Sequence, residues 1–277
     1  MKTTHLLKLL AAGMLTASVA MQAQAHRAWM LPSSTVLSGD APYVTFDAAI
    51  SNTLFFPDHV AMNLAGVKAY GPQGNAVELL NAAKGQYRST FDIQLNQEGT
   101  YKLATSSGGL RAMWEDEDGK RKMWPRRGQT AQDSEFATAV PKDAKKLRVS
   151  RSYRRVETFV TLGAPSDDVF APTNQGLEMV PLTHPNDLYA GEAATFTLLI
   201  DGKPAKGATI EIIPDGVRYR NQQNEIKLTT NDKGQFVVTW PTAGRYFLEA
   251  EYEDDQVSAP ATKRTGSYAA TLEVLPM

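Results

Sequence analysis

Beyond residue 25 the chain reads as short runs in which apolar and polar residues alternate one for one, the pattern of strands buried on one face of a sheet. Alternation rich in β-branched and aromatic residues predicts strands over 43–49, 67–70, 87–95, 100–105, 148–152, 157–162, 194–200, 209–213, 235–240 and 246–252. Turn signals stand between them, among them Gly71-Pro72-Gln73-Gly74, Asp201-Gly202 and Asn231-Asp232-Lys233-Gly234. No window sustains apolar residues at i, i+3, i+4 and i+7 over three turns, so no long helix is predicted. Short strands at this spacing predict an all-β protein made of β-sandwiches.

One unit occurs twice. Lys84-Gly85-Gln86-Tyr87 leads a strand that ends near Gly99-Thr100-Tyr101, and Lys233-Gly234-Gln235-Phe236 leads one that ends near Gly244-Arg245-Tyr246. In immunoglobulin-like sandwiches a Tyr at such a corner bonds back to the backbone, so Tyr101 and Tyr246 are expected to be structural. The echo divides the chain into two modules: a β-sandwich over 26–163, and a transthyretin-like or immunoglobulin-like β-sandwich over 177–277. Residues 164–176, with Pro165, Ser166, Asp167, Asp168, Pro172 and Asn174, have linker composition. Residues 114–146, where Glu115-Asp116-Glu117-Asp118 precedes Lys120-Arg121-Lys122, read as a charged, solvated excursion from the first sandwich.

The first 25 residues follow a different pattern. Lys2 and Lys8 precede an apolar run over 9–21 and then Ala23-Gln24-Ala25, the small-x-small pattern of a signal peptide cleaved after Ala25. The run is shorter than the roughly 18 to 20 residues that span a bilayer, and no second one follows, so no transmembrane segment is expected after processing. Export places the mature chain outside the cytoplasm with His26 as its first residue. Of the 29 Lys and Arg residues two leave with the signal, so the net charge of −1 becomes −3, which is no nucleic-acid footprint. An exported chain without Cys has no disulfide staples, thiolate metal sites or Cys nucleophile.

Candidate chemistry therefore falls to histidines. A terminal His offers its α-amine and an imidazole nitrogen, a chelating pair suited to Cu, Ni or Co. His59 stands in Pro57-Asp58-His59-Val60-Ala61-Met62, where Asp58 could orient the ring and Met62 could add a thioether ligand. His184 precedes Pro185 and reads as a turn residue. Trp29, Trp114 and Trp124 could form a sugar-stacking surface, although core or rim packing is the commoner role, and Trp240 reads as core. The acidic residues cluster in one run, which by itself supplies no opposed acid and base for glycoside hydrolysis. Nucleophile elbow, Walker loop, dinucleotide fingerprint and zinc-helix motif are all missing from the sequence.

Several stretches together carry a family resemblance: His26-Arg27-Ala28-Trp29-Met30-Leu31-Pro32, Val156-Glu157-Thr158-Phe159-Val160-Thr161-Leu162-Gly163, Leu177-Glu178-Met179-Val180-Pro181-Leu182, His184-Pro185-Asn186-Asp187-Leu188-Tyr189-Ala190-Gly191-Glu192 and Asp201-Gly202-Lys203-Pro204. The set, closing with 268–276, resembles the DUF4198 proteins of Gram-negative bacteria. The resemblance implies a periplasmic protein akin to components of nickel and cobalt uptake systems, with a membrane transporter or TonB-dependent receptor as partner. It implies a divalent transition metal (Ni, Co, Cu or Fe) and carries the terminal ligand onto His26. Nickel-type members place a His-Pro pair and a nearby Met after the first strand; the corresponding region here is Phe55-Phe56-Pro57-Asp58-His59-Val60-Ala61-Met62. The expected function is non-catalytic metal binding at His26, with His59, Met62 and Asp58, as an accessory to uptake. The alternative is an interaction module that docks a receptor, envelope protein or polysaccharide without metal, and a glycoside hydrolase is the third class.

Overall fold

The computed structural model describes residues 26–126 and 128–277; the predicted signal peptide, residues 1–25, lies outside them. The principal strands are β1 (Arg27–Pro32), β2 (Tyr43–Ser51), β3 (Val67–Tyr70), β4 (Leu80–Lys84), β5 (Ser89–Gln94), β6 (Gly99–Glu115), β7 (Arg121–Trp124) and β8 (Lys145–Leu162). They continue with β9 (Leu177–Pro181), β10 (Ala193–Ile200), β11 (Thr209–Pro214), β12 (Ile226–Thr229), β13 (Gln235–Thr239), β14 (Gly244–Asp254) and β15 (Lys263–Val274). The only α-helical segment among the described residues is one turn, Phe136–Ala139. None of their helices is long and apolar enough to cross a membrane.

Three sheets stack in layers. The first runs β1-β2-β5-β4, the second β12-β11-β14-β15-β8-β6-β3 with β7 added on β6, and the third places β9 and β13 on either side of β10. The all-β sandwich class expected from the alternation is the observed one. Trp29, Phe46, Phe91 and Ile93 of the first sheet pack on Leu103, Val156, Val160 and Phe247 of the second, forming one core. Phe196, Leu198 and Phe236 of the third sheet pack on the opposite face of the second, against Phe159, Leu248, Tyr268 and Leu272, forming the other.

The two sandwiches therefore share their middle sheet. Its seam is β8, paired antiparallel with β6 and parallel with β15 from Ser150↔Lys263 to Thr158↔Thr271. Residues 155–162 of β8 are buried without interruption, because each face lies against a core. The sequence pattern predicts two short strands, 148–152 and 157–162, where one long strand exists, because the polar run Tyr153-Arg154-Arg155 interrupts the apolar positions between them.

The segment 164–176, expected as a linker, is packed down. Val169 and Phe170 are buried in the second core, and Ser166 Oγ accepts the Thr100 N–H at 3.0 Å. The Glu178 carboxylate accepts the Thr173 and Asn174 N–H groups at 2.9 and 2.8 Å. Arg155, buried beside Glu157 at 3.3 Å and Glu178 at 3.8 Å, donates to the Gln175 carbonyl at 3.0 Å. Linker composition describes its lack of regular structure, and burial of two apolar side chains fixes it nonetheless.

The excursion 114–146 is also folded. β6 and β7 form a hairpin whose Trp114 and Trp124 pack with Phe136 and Leu147 against Leu110, Ala112, Val140, Val149 and Ala261, a third small core. Its charges stay outside, with Glu115, Asp116 and Asp118 paired to Lys146, Lys122 and Lys120.

Candidate metal centre

His26 stands immediately before β1. Because β1 is antiparallel to β2 with Arg27 opposite Ser51, His26 faces the end of β2, where the chain turns through 52–59. Asp58 closes that turn: Oδ1 accepts the Asn52 N–H at 2.7 Å and Oδ2 the Thr53 N–H at 3.0 Å. Burial opposes the charge on Asp58, but the hydrogen bonds from Asn52 and Thr53 outweigh it and hold the carboxyl below the usual carboxylate range. The closed turn delivers the exposed His59 onto His26, their rings stacked with centroids 3.9 Å apart and planes 8° apart.

The four residues read as a metal site are thus divided. His26 and His59 meet. Asp58 serves the turn through its two oxygens, and Met62 is buried in the first core, its carbonyl accepting the Ser89 hydroxyl at 2.7 Å. His184 lies elsewhere. Its Nδ1 accepts the Asn186 N–H at 3.1 Å, its Nε2 lies 2.9 Å from Thr100 Oγ1, and its ring stands edge-on to Phe170. With Nδ1 an acceptor, the proton belongs on Nε2 and goes to Thr100. Desolvation lowers the His184 pKa. Trp29 and Trp240 are core residues, Trp29 Nε1 donating to Ser51 Oγ at 2.8 Å, so Trp29 is not part of a sugar platform.

Beside the histidine pair the structure adds residues that sequence reasoning missed. Arg27 reaches across the sandwich to Glu211 on β11 at 2.9 Å, Glu249 on β14 at 3.5 Å and Gln223 at 3.0 Å. Glu211 and Glu249 are opposite residues on neighbouring strands. Desolvation pushes the Glu249 carboxyl up, and the Arg27 charge opposes that shift. The nearby loop after β11 lays Arg218 over the Phe56 ring, 3.9 Å from its centroid. The only sequence signal for these partners was polar residues at positions of β11 and β14 that share a face with Ile213 and Phe247.

As a donor set the corner offers two imidazoles, and the α-amine of residue 26 if the chain is cleaved after Ala25. Three nitrogens suit Cu, Ni or Co. Among the described residues no group of three or more His, Cys, Asp or Glu side chains gathers to hold a metal. In the stacked pair the in-plane lone pairs run side by side, so binding one ion through both rings requires one ring to swing, and exposed His59 has room to do so.

A cleft of about 570 Å³ lies away from the histidines between 106–109, 130–133 and 175–177. Two of its three arginines are neutralised, Arg151 by Asp133 at 2.7 Å and Arg155 by Glu157 and Glu178.

Fold and site together define an all-β protein of two sandwiches on one shared sheet, with a two-histidine corner where its first strand begins. The chain belongs to the family described as "Domain of unknown function (DUF4198)", which matches residues 23–254. No curated protein matches it. Among solved structures it is similar to the D0-D1 domain of intimin, at 10% identity over 89% of this chain and 97% of that one, with a TM-score of 0.23. The human OSCAR ligand-binding domain is 12% identical over 90% and 100% of the two chains (TM-score 0.20). A marsupial T cell receptor is 11% identical over 91% and 74% (TM-score 0.20). Likeness at such scores adds nothing to what the sheets themselves show.

Proposed function

We propose that this is an exported, periplasmic protein that binds a divalent transition metal without catalysing a reaction, as an accessory to metal uptake. The observation that carries the reading is the meeting of His26 and His59, two of the three histidines beyond the predicted signal, brought from opposite ends of a 34-residue stretch into ring contact. Cleavage after Ala25 adds the His26 α-amine, giving three nitrogen donors from two residues. The metal would be held by these donors at the solvent-facing corner, while the Arg27–Glu211–Glu249 cluster fastens the start of β1 to the shared sheet.

The test uses protein processed in the periplasm, titrated calorimetrically with Cu(II), Ni(II) and Co(II). Expected are one tight site per chain, at least tenfold weakening in His59→Ala, and a similar loss when one residue is added before His26. Affinity indifferent to both changes overturns the reading.

A further inference from the structure

We propose that the outer face of the β6–β7 hairpin is a docking surface for an anionic phospholipid bilayer. The hairpin has two unlike faces. One turns Ala112, Trp114 and Trp124 into the small third core. On the other, Met123, Met113 and Arg148 form one row across β7, β6 and β8. Arg111 and Arg121, each two residues from a methionine of that row, point to the same side. All five side chains are exposed, Met113 at 53% and Met123 at 47%.

Charge distribution indicates the occupant. Among the described residues none of the three guanidinium groups has a carboxylate within ion-pair distance; Glu115, opposite Arg121 across the hairpin, is taken by Lys146 at 2.9 Å. Three of the four acids at the hairpin turn are likewise paired to lysines. Residues 110–151 hold eleven Lys and Arg against seven Asp and Glu, in a chain whose total charge is −1. Unpaired like charges on adjacent strands cost stability, and an anionic surface would remove that cost.

Shape favours a bilayer over a folded acidic partner. β6 is hydrogen-bonded on both sides, by β7 and β8, so this face presents side chains rather than an open strand edge. Unbranched thioether chains enter a disordered apolar layer without needing a matching pocket. Guanidinium groups beside them bind phosphate through paired hydrogen bonds. The surface is independent of the histidine corner, so the failure of either proposal leaves the other standing.

The experiment is cosedimentation of the full chain with phosphatidylglycerol–phosphatidylcholine vesicles and with phosphatidylcholine vesicles. Expected is binding to the first only, released by added salt and weakened about fivefold for each of Arg111→Gln, Arg121→Gln and Arg148→Gln. The double variant Met113→Ser/Met123→Ser should also bind more weakly, whereas His59→Ala should bind like the parent. Since every altered side chain is exposed, thermal melting of the variants should stay close to that of the parent. Equal binding to both vesicle types, or an unchanged triple Arg→Gln variant, overturns the proposal. So does displacement by soluble poly-glutamate at a matching charge concentration, which would assign the face to an acidic protein.

Discussion

Both ring nitrogens of His184 are committed, one accepting from the Asn186 backbone and the other facing the Thr100 hydroxyl, and the ring is half-buried against Phe170. A proton added to Nδ1 would lose the Asn186 contact and bury a charge. Desolvation accordingly holds the folded pKa below the ordinary histidine value. Where the folded pKa is depressed, the unfolded chain binds the proton first, so this residue's contribution is complete above the unfolded pKa and is lost as pH falls from there toward the folded one. Denaturant titrations should therefore show stability declining from about pH 6.5 downward, with His184→Gln flattening that part of the profile. At neutral pH the same substitution should cost about 1 to 3 kcal/mol by leaving polar partners unmet. A profile between pH 7 and 5 that is the same in parent and variant would remove His184 from this role.

Among the elements, the two strand corners recur with the same chemistry. Tyr101 donates to the Gln97 carbonyl at 3.0 Å, and Tyr246 to the Thr242 carbonyl at 2.8 Å, each four residues upstream. Tyr101→Phe and Tyr246→Phe should each lower stability by about 1 kcal/mol and add in the double variant, because the corners lie in separate cores. Coupling between the two measured by a double-mutant cycle would show that they are not independent. These corners were legible in the sequence because they rest on local spacing, and so were strands with one wet face, such as β3 and β10. Other strands were not: β8 was divided in two, and the predicted strands lacked β1, β4, β7, β9, β12 and β15, the last buried almost throughout its second half. The candidate site divides in the same way. His26 and His59 could be named from their side chains, but their stacking depends on the β1–β2 register and on the turn that Asp58 closes. Met62 has ligand chemistry and Asp58 an acceptor's, yet the core claims one and the backbone the other. Arg27, Glu211 and Glu249 escaped notice because their meeting crosses the gap between two sheets.

The shared middle sheet changes how the whole molecule should unfold. Two sandwiches joined by a free linker would melt as separate units, each with its own core. Here β8 presents Val156 and Val160 to one core and Phe159 to the other, and its partner β15 comes from the far end of the chain. Neither sandwich keeps its middle layer when the other unfolds. Calorimetry should therefore give a single transition with equal calorimetric and van't Hoff enthalpies. Phe46→Ala in the first core and Phe196→Ala in the second, both fully buried, should each cost about 3 to 5 kcal/mol and lower that same transition. Breaking the ion-pair cluster at the seam with Arg155→Met leaves Glu157 and Glu178 buried without their cation, at a similar cost of about 3 to 5 kcal/mol, and should lower the single transition without dividing it. Two resolved transitions, each moved by only one of the two phenylalanine substitutions, would show that the sandwiches are energetically separate despite their common sheet.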